Sequence, residues 1–236
     1  MALPKINDVP LYSVTIPSSG KVVKFRPFLV KEQKVLMIAF ETQDQVQLIN
    51  AMLDTIHSCC EDLDTNVLTK VDIDYLFAHI RAKSVGEIVN LVSTCQKCQS
   101  DLEFKFDITE LKIPEIKHRT RTVELTPELY VKLRVPGYHD ILNNNAFGEN
   151  VTTQEMLTRM ILSCIESVQT GEENILMKDE PYEEKANFID FLTIDQFEKL
   201  NQFILEIPSI SYNVSTTCEK CGSKEERVVE GIDNFF

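Results

Sequence analysis

Two Cys-x-x-Cys pairs, Cys95/Cys98 and Cys218/Cys221, constrain this chain more than any other feature. Each sits between two strand-like runs, in IVNLVSTCQKCQSDLEFKFDI (88–108) and ISYNVSTTCEKCGSKEERVVEGI (210–232), so each reads as a knuckle at the tip of a β-hairpin. One knuckle supplies only two adjacent corners of a tetrahedral metal site. A structural zinc needs four, so the two hairpins are expected to meet and bind one Zn2+ through Cys95, Cys98, Cys218 and Cys221. Redox use is the competing reading, but a redox Cys-x-x-Cys normally opens a helix, which lowers its thiol pKa. Seven cysteines, an odd number, fit metal ligation in a reducing compartment better than a disulfide framework.

The two knuckles belong to a longer internal correspondence. VVKFRPF, with Lys24 and Arg26, is matched by YVKLRVP, with Lys132 and Arg134, and each follows another strand-like run and a turn. Next come two helical blocks, AMLDTIHSCCEDL and EMLTRMILSCIESV, with apolar residues at three- and four-residue spacing. Asp72-Ile73-Asp74 and Thr193-Ile194-Asp195 then read as helix starts, where a short polar residue precedes an apolar run. The expected fold is α+β: two duplicated halves, 1–112 and 113–236, each a β-hairpin, helices and a Cys-x-x-Cys hairpin, sharing a zinc-ribbon-like clip. The second half carries an acidic insertion, GEENILMKDEPYEEK from Gly171, which reads as an exposed loop.

Cys59, Cys60 and Cys164 fall in helical apolar patterns and are assigned to the core. His57, His79, His118 and His139 form no metal-binding spacing, and the chain has no phosphate-binding glycine loop and no nucleophile elbow. Asp72, Asp74 and the acidic insertion read as helix capping and solvated loop, not catalytic carboxylates. A non-catalytic protein is therefore expected. With a formal net charge of -13 and dispersed cations, the chain lacks the basic footprint of a nucleic-acid binder, and the knuckle charges (Lys97 and Asp101 in one; Glu219, Lys220, Lys224, Glu225 and Glu226 in the other) are mixed in sign, which argues against a third function, a zinc-ribbon nucleic-acid binder. The opening MALPKINDVPLYSV has neither a signal pattern nor an apolar run of the roughly 20 residues a membrane helix needs, so a soluble intracellular protein is expected. Lys24 and Arg26 on one strand read individually as ordinary solvated strand residues, with a basic assembly patch as the alternative, and the closing GIDNFF either docks on a partner or packs back on the body.

KFRPFLVKEQKVL (24–36), followed by the apolar stretch MIAFE, resembles the opening of the baseplate hub and hub-assembly proteins of T-even-type contractile-tailed bacteriophages. The resemblance runs along most of the chain. It implies a role in tail baseplate assembly, with other hub proteins and the tape-measure protein as partners, and brings no catalytic residues. A homo-oligomer stays open. Two functions follow: a hub subunit retained in the virion tail, or a chaperone that acts in the host cytoplasm during assembly and then leaves. A chaperone should expose an apolar groove when free, whereas a permanent subunit should bury an extensive interface.

Overall fold

The computed structural model describes residues 9–111, 113, 119–148 and 150–231. The carboxy-terminal residues 232–236, and with them most of the candidate docking tail, lie outside the described residues, as does His118. The fold is mixed α and β, in two compact units. One comprises Met1–Thr65, Val71–Pro114 and Ser209–Phe236; the other comprises Asn66–Lys70 and Glu115–Pro208. The first unit is thus discontinuous in sequence, with the chain leaving after its first knuckle hairpin and returning with the second.

The first unit opens with the antiparallel hairpin β1 (Tyr12–Thr15) and β2 (Val22–Phe25), whose alternation buries Val14, Val23 and Phe25. Helix α1 (Val30–Glu41) packs on α2 (Gln45–Cys59), and α3 (Lys70–Val85) completes the helical layer. Asp44 caps α2 by accepting the Val46 and Gln47 backbone N–H groups. The apolar stripe of α2 supplies Met52, Leu53, Ile56 and Cys59 to the core, and α3 adds Ile73, Leu76, Phe77 and Ile80. The hairpin β3 (Ile88–Thr94) and β4 (Asp101–Asp107) carries the first knuckle.

Asp72 and Asp74 are not caps, as the sequence pattern had implied, because α3 already begins at Lys70 and both carboxylates are fully buried in its first turns. Asp72 accepts hydrogen bonds from the Ser18 backbone N–H at 3.0 Å and the Ser18 hydroxyl at 2.5 Å, tying the β1–β2 turn to the helix.

The second unit contains a four-stranded antiparallel sheet in sequential order: β5 (Thr120–Thr126), β6 (Leu129–Arg134), β7 (Ile165–Thr170) and β8 (Glu173–Leu176). Between β6 and β7 lie α4 (Tyr138–Asn143) and α5 (Thr153–Cys164); after β8 come α6 (Tyr182–Asp190) and α7 (Ile194–Leu205). Thr152 and Thr193 cap α5 and α7, each closing a capping box with Glu155 or Gln196. Val131, Leu133, Ile161, Leu162, Leu200 and Phe203 form the centre of its core. Two expectations change here. The helical block ends at Cys164, because Ile165 onward pairs with β6 as a strand; the acidic insertion is not a loop but contains β8, a 3-10 turn (Met177–Asp179) and α6. Gly171, with φ +57°, provides the left-handed residue of the β7–β8 turn.

The chain re-enters the first unit as the hairpin β9 (Ser211–Thr217) and β10 (Lys224–Glu230), which carries the second knuckle. Phe106 of β4 stacks on Tyr212 of β9 with centroids 4.7 Å apart, and the Tyr212 hydroxyl donates to Glu110 at 3.2 Å. Arg227 of β10 lies over the Phe104 ring, donates to the Thr94 carbonyl at 2.6 Å and contacts the Ser93 hydroxyl. These contacts hold the two hairpins side by side.

One local device occurs in both units. Arg26 at the end of β2 reaches Glu32 at 3.0 Å, while the other Glu32 oxygen accepts the Leu29 backbone N–H at the start of α1 at 2.7 Å. Arg134 at the end of β6 reaches Asp140 at 2.6 Å, and Asp140 likewise accepts the Gly137 N–H at 2.8 Å at the start of α4. In each case the acid satisfies an orphan donor of the helix and anchors the arginine that enters it. Arg26 is therefore a half-buried structural residue, not half of a basic assembly patch. Despite the opposing cost of desolvation, bonds from Arg26 and the Leu29 N–H hold the Glu32 carboxyl below its usual range. Replacing it as Glu32→Gln is expected to cost about 2–3 kcal/mol in urea unfolding at pH 7, because one partner of a largely buried pair is lost. A depressed folded-state pKa contributes stability above the unfolded carboxyl range and loses it as pH falls through the folded value. The difference between wild type and variant should therefore shrink on acidification below about pH 4.

Candidate metal centre

The two knuckles have the same backbone frame. In the first, the Cys95 N–H donates to the Ser100 carbonyl at 2.9 Å, and the Gln99 N–H donates back to the Cys95 carbonyl at 2.9 Å. In the second, Cys218 N–H to Ser223 O and Gly222 N–H to Cys218 O are both 2.8 Å. Each turn needs a left-handed residue directly after its second cysteine. Gly222 takes φ +68° without steric cost, and Gln99 takes φ +57°. The frames aim backbone N–H groups at the leading sulfurs, from Lys97 and Cys98 to Cys95 and from Lys220 and Cys221 to Cys218.

The sulfurs of Cys95, Cys98, Cys218 and Cys221 all lie within 4.8 Å of one another. Cys95 is 3.7 Å from Cys221, and Cys98 is 3.6 Å from Cys218. A tetrahedral ion with bonds of about 2.3 Å to sulfur separates its ligand atoms by about 3.8 Å, so these two separations between the knuckles are those of ligands on one shared ion. It is far too long for a disulfide, whose S–S bond is about 2.05 Å. Cys95 and Cys218, the first of each pair, are buried, whereas Cys221 is partly exposed and Cys98 exposed. The four thiols can thus hold one metal ion, with no protein position left open for substrate.

The electrostatics point the same way. The Ser100 hydroxyl, 3.1 Å from Cys98 Sγ and 3.4 Å from Cys218 Sγ, is the largest influence lowering both thiols, and Cys218 falls to about 6 with further help from the Cys221 N–H. At Cys221 the Ser223 N–H favours the thiolate, but desolvation and three neighbouring sulfurs outweigh it and push the thiol to about 12. Cys95 is also raised; its bond from the Cys98 N–H is outweighed by desolvation and crowding by the Cys98 thiol. Four sulfurs this close cannot all ionise against one another, whereas a divalent cation removes that repulsion and favours deprotonation of every ligand.

The supporting roles of two residues, Ser100 and the knuckle charge Glu225, are not visible in the sequence pattern. Ser100 is buried between the knuckles, and Glu225 is buried on β10, accepting the Gln96 backbone N–H at 3.2 Å with its Oε1 3.5 Å from Cys95 Sγ. Glu225 occupies the place that Leu102 holds in the first hairpin, and a charged residue at a core-facing strand position was the available signal. The other cysteines are remote from this chemistry. Cys59, Cys60 and Cys164 are buried in the core, where desolvation raises their thiols to about 11, 12 and 12. His79 is packed edge-on against Tyr75 and held below its usual pKa by burial.

A family model described as T4 bacteriophage base plate protein matches residues 9–236. The chain belongs to this family. Among curated relatives of this baseplate family, the baseplate hub assembly protein gp26 of Enterobacteria phage T4 is 23% identical over 227 residues, spanning 95% of this chain and 97% of that protein. No solved structure matches the chain. Among the described residues, no helix is long and apolar enough to cross a membrane.

Titrating the metal-free, reduced protein with Co2+ tests the geometry. Visible bands of tetrahedral thiolate coordination are expected to saturate at one equivalent, and Cys95→Ser should remove that saturation point.

Proposed function

We propose that this baseplate-family chain is a non-enzymatic assembly protein of the phage tail baseplate hub. It acts through contacts with other baseplate proteins, while one structural Zn2+ on Cys95, Cys98, Cys218 and Cys221 fastens two distant parts of the chain. The observation that carries the assembly role is end-to-end similarity to a hub assembly protein, at 95% and 97% coverage of the two chains. The zinc assignment rests on the donor set. Four thiolates at tetrahedral spacing suit a closed structural site, and no ligand position remains for a reactive water.

We also infer that residues 1–112 and 113–236 arose by duplication. Supporting this are the matched order of hairpin, helices and knuckle hairpin, the shared knuckle frame, and the repeated Arg–acid device at Arg26/Glu32 and Arg134/Asp140. In this reading β8 and α6 belong to the insertion that distinguishes the second half.

A transient chaperone for a hub or tape-measure protein is the second reading. It is favoured by an exposed apolar surface on α1, where Val30, Met37 and Ile38 are each more than half exposed. Quantitative mass spectrometry of purified virions separates the two. Stoichiometric presence makes the chain a virion subunit; abundance in infected cells with absence from virions makes it a chaperone. Normal baseplates after deletion of the gene would remove both readings. For the metal, protein purified without chelator is expected to carry about one equivalent of zinc, falling sharply in Cys218→Ser.

A further inference from the structure

The two knuckles share a backbone frame but not the side chains that face their sulfurs. Each outer cysteine receives the backbone N–H of the residue two positions on, from Ser100 to Cys98 and from Ser223 to Cys221. Beyond that they differ. The Ser100 side chain is buried, and its hydroxyl lies 3.1 Å from Cys98 Sγ and 3.4 Å from Cys218 Sγ, so one oxygen touches a sulfur of each knuckle. Ser223, its counterpart, is half-buried, and among the described residues no hydroxyl reaches Cys95 or Cys221. The side-chain oxygen that meets Cys95 is Glu225 Oε1 at 3.5 Å, which accepts the Gln96 N–H and lends no proton to the sulfur. The four sulfurs therefore form two unlike edges. Cys98 and Cys218, 3.6 Å apart, are bridged by a hydroxyl; Cys95 and Cys221, 3.7 Å apart, are not.

We propose that Ser100 locks the Cys98–Cys218 edge of the zinc site, so that a bound ion is opened by an incoming electrophile, thiol or chelator from Cys221; the inference rests on the zinc reading above. A thiolate on zinc keeps lone pairs, and these are what an electrophile attacks. A hydroxyl that donates to such a sulfur makes a charge-assisted bond and draws electron density from it, as groups behind the ligands of a metal commonly do. The Ser100 hydroxyl is held to this task because it is buried, and turning from the sulfurs would leave it without a partner.

Access and hydrogen bonding give opposite orders of reactivity here. Cys98 is the most exposed of the four, Cys221 is partly exposed, and Cys95 and Cys218 are buried. Access alone would make Cys98 the first sulfur attacked. With Ser100 holding Cys98, the first is Cys221.

The test treats the full chain, purified with its zinc, with limiting N-ethylmaleimide at fixed pH, identifies the modified cysteine by peptide mass mapping and counts zinc in the same samples. Sulfur adds to one carbon of the maleimide double bond, the zinc–sulfur bond breaks, and the other carbon takes a proton from water. In the wild type, Cys221 is expected to be modified before Cys98. Ser100→Ala should raise the rate at Cys98 about tenfold and put it first, as the loss of one hydrogen bond to a charged sulfur requires. Ser100→Thr, which keeps the hydroxyl, should restore the wild-type order, and Ser223→Ala should leave it unchanged. Modification of Cys98 first in the wild type, or an order unmoved by Ser100→Ala, would overturn the inference. If Ser100→Ala does not hold its zinc, the wild-type order decides alone. Wild-type protein without zinc would defeat the zinc reading and the inference with it, whereas zinc present with Cys98 modified first would defeat the inference only.

Discussion

The fold of the first unit depends on bringing together two hairpin tips that are far apart in sequence. A chain that leaves after β4 and returns only at β9 must close a loop containing the whole of residues 115–208. Closing a loop of roughly 100 residues costs several kcal/mol of chain entropy, with about 4–5 kcal/mol indicated for a covalent cross-link of that span. The Phe106–Tyr212 stack and the Arg227 contacts offset part of this. The zinc ion proposed to be shared by the knuckles would provide a stronger, directional tie, because zinc in small thiolate sites contributes on the order of 10 kcal/mol. Such an ion would also fix where the two hairpin tips sit against each other, since all four ligands would be bound to one centre.

That arrangement separates structural and interactive parts of the first unit. The buried chemistry is architectural: raised, desolvated thiols at Cys59 and Cys60, a carboxylate–arginine anchor at the entry to α1, and Asp72 holding the Ser18 turn. The outer face of α1 is different, with Val30, Met37 and Ile38 each more than half exposed. An assembly protein needs such a surface on a rigid support. The Arg26–Glu32 anchor helps supply that rigidity by fixing the first turn of the same helix.

The knuckles and their hairpins were legible because strand-like alternation brackets each Cys-x-x-Cys and four-ligand zinc chemistry requires a partner for each pair. The α2 helix and the α7 cap at Thr193 followed from apolar spacing and capping chemistry. Other features depended on tertiary context. Ile165–Thr170 continues an apolar helical pattern but becomes a strand because β6 offers an edge to pair with. Asp72 looks like a cap by type and position, yet it is buried because Ser18, 54 residues away, supplies two donors. Glu225 and Ser100 have no motif; their roles appear only when the second hairpin lies against the first. The Arg26–Glu32 and Arg134–Asp140 pairs share a six-residue spacing, but nothing in either segment alone distinguishes an anchoring arginine from a solvated one.

One zinc ion, held by both knuckles, is proposed to close the first unit. X-ray absorption spectroscopy at the zinc edge of protein purified without chelator tests it directly. Four sulfur neighbours at about 2.3 Å in every ion are predicted. A mixed sulfur and oxygen or nitrogen shell, or sulfur counts indicating one knuckle per ion, would contradict it.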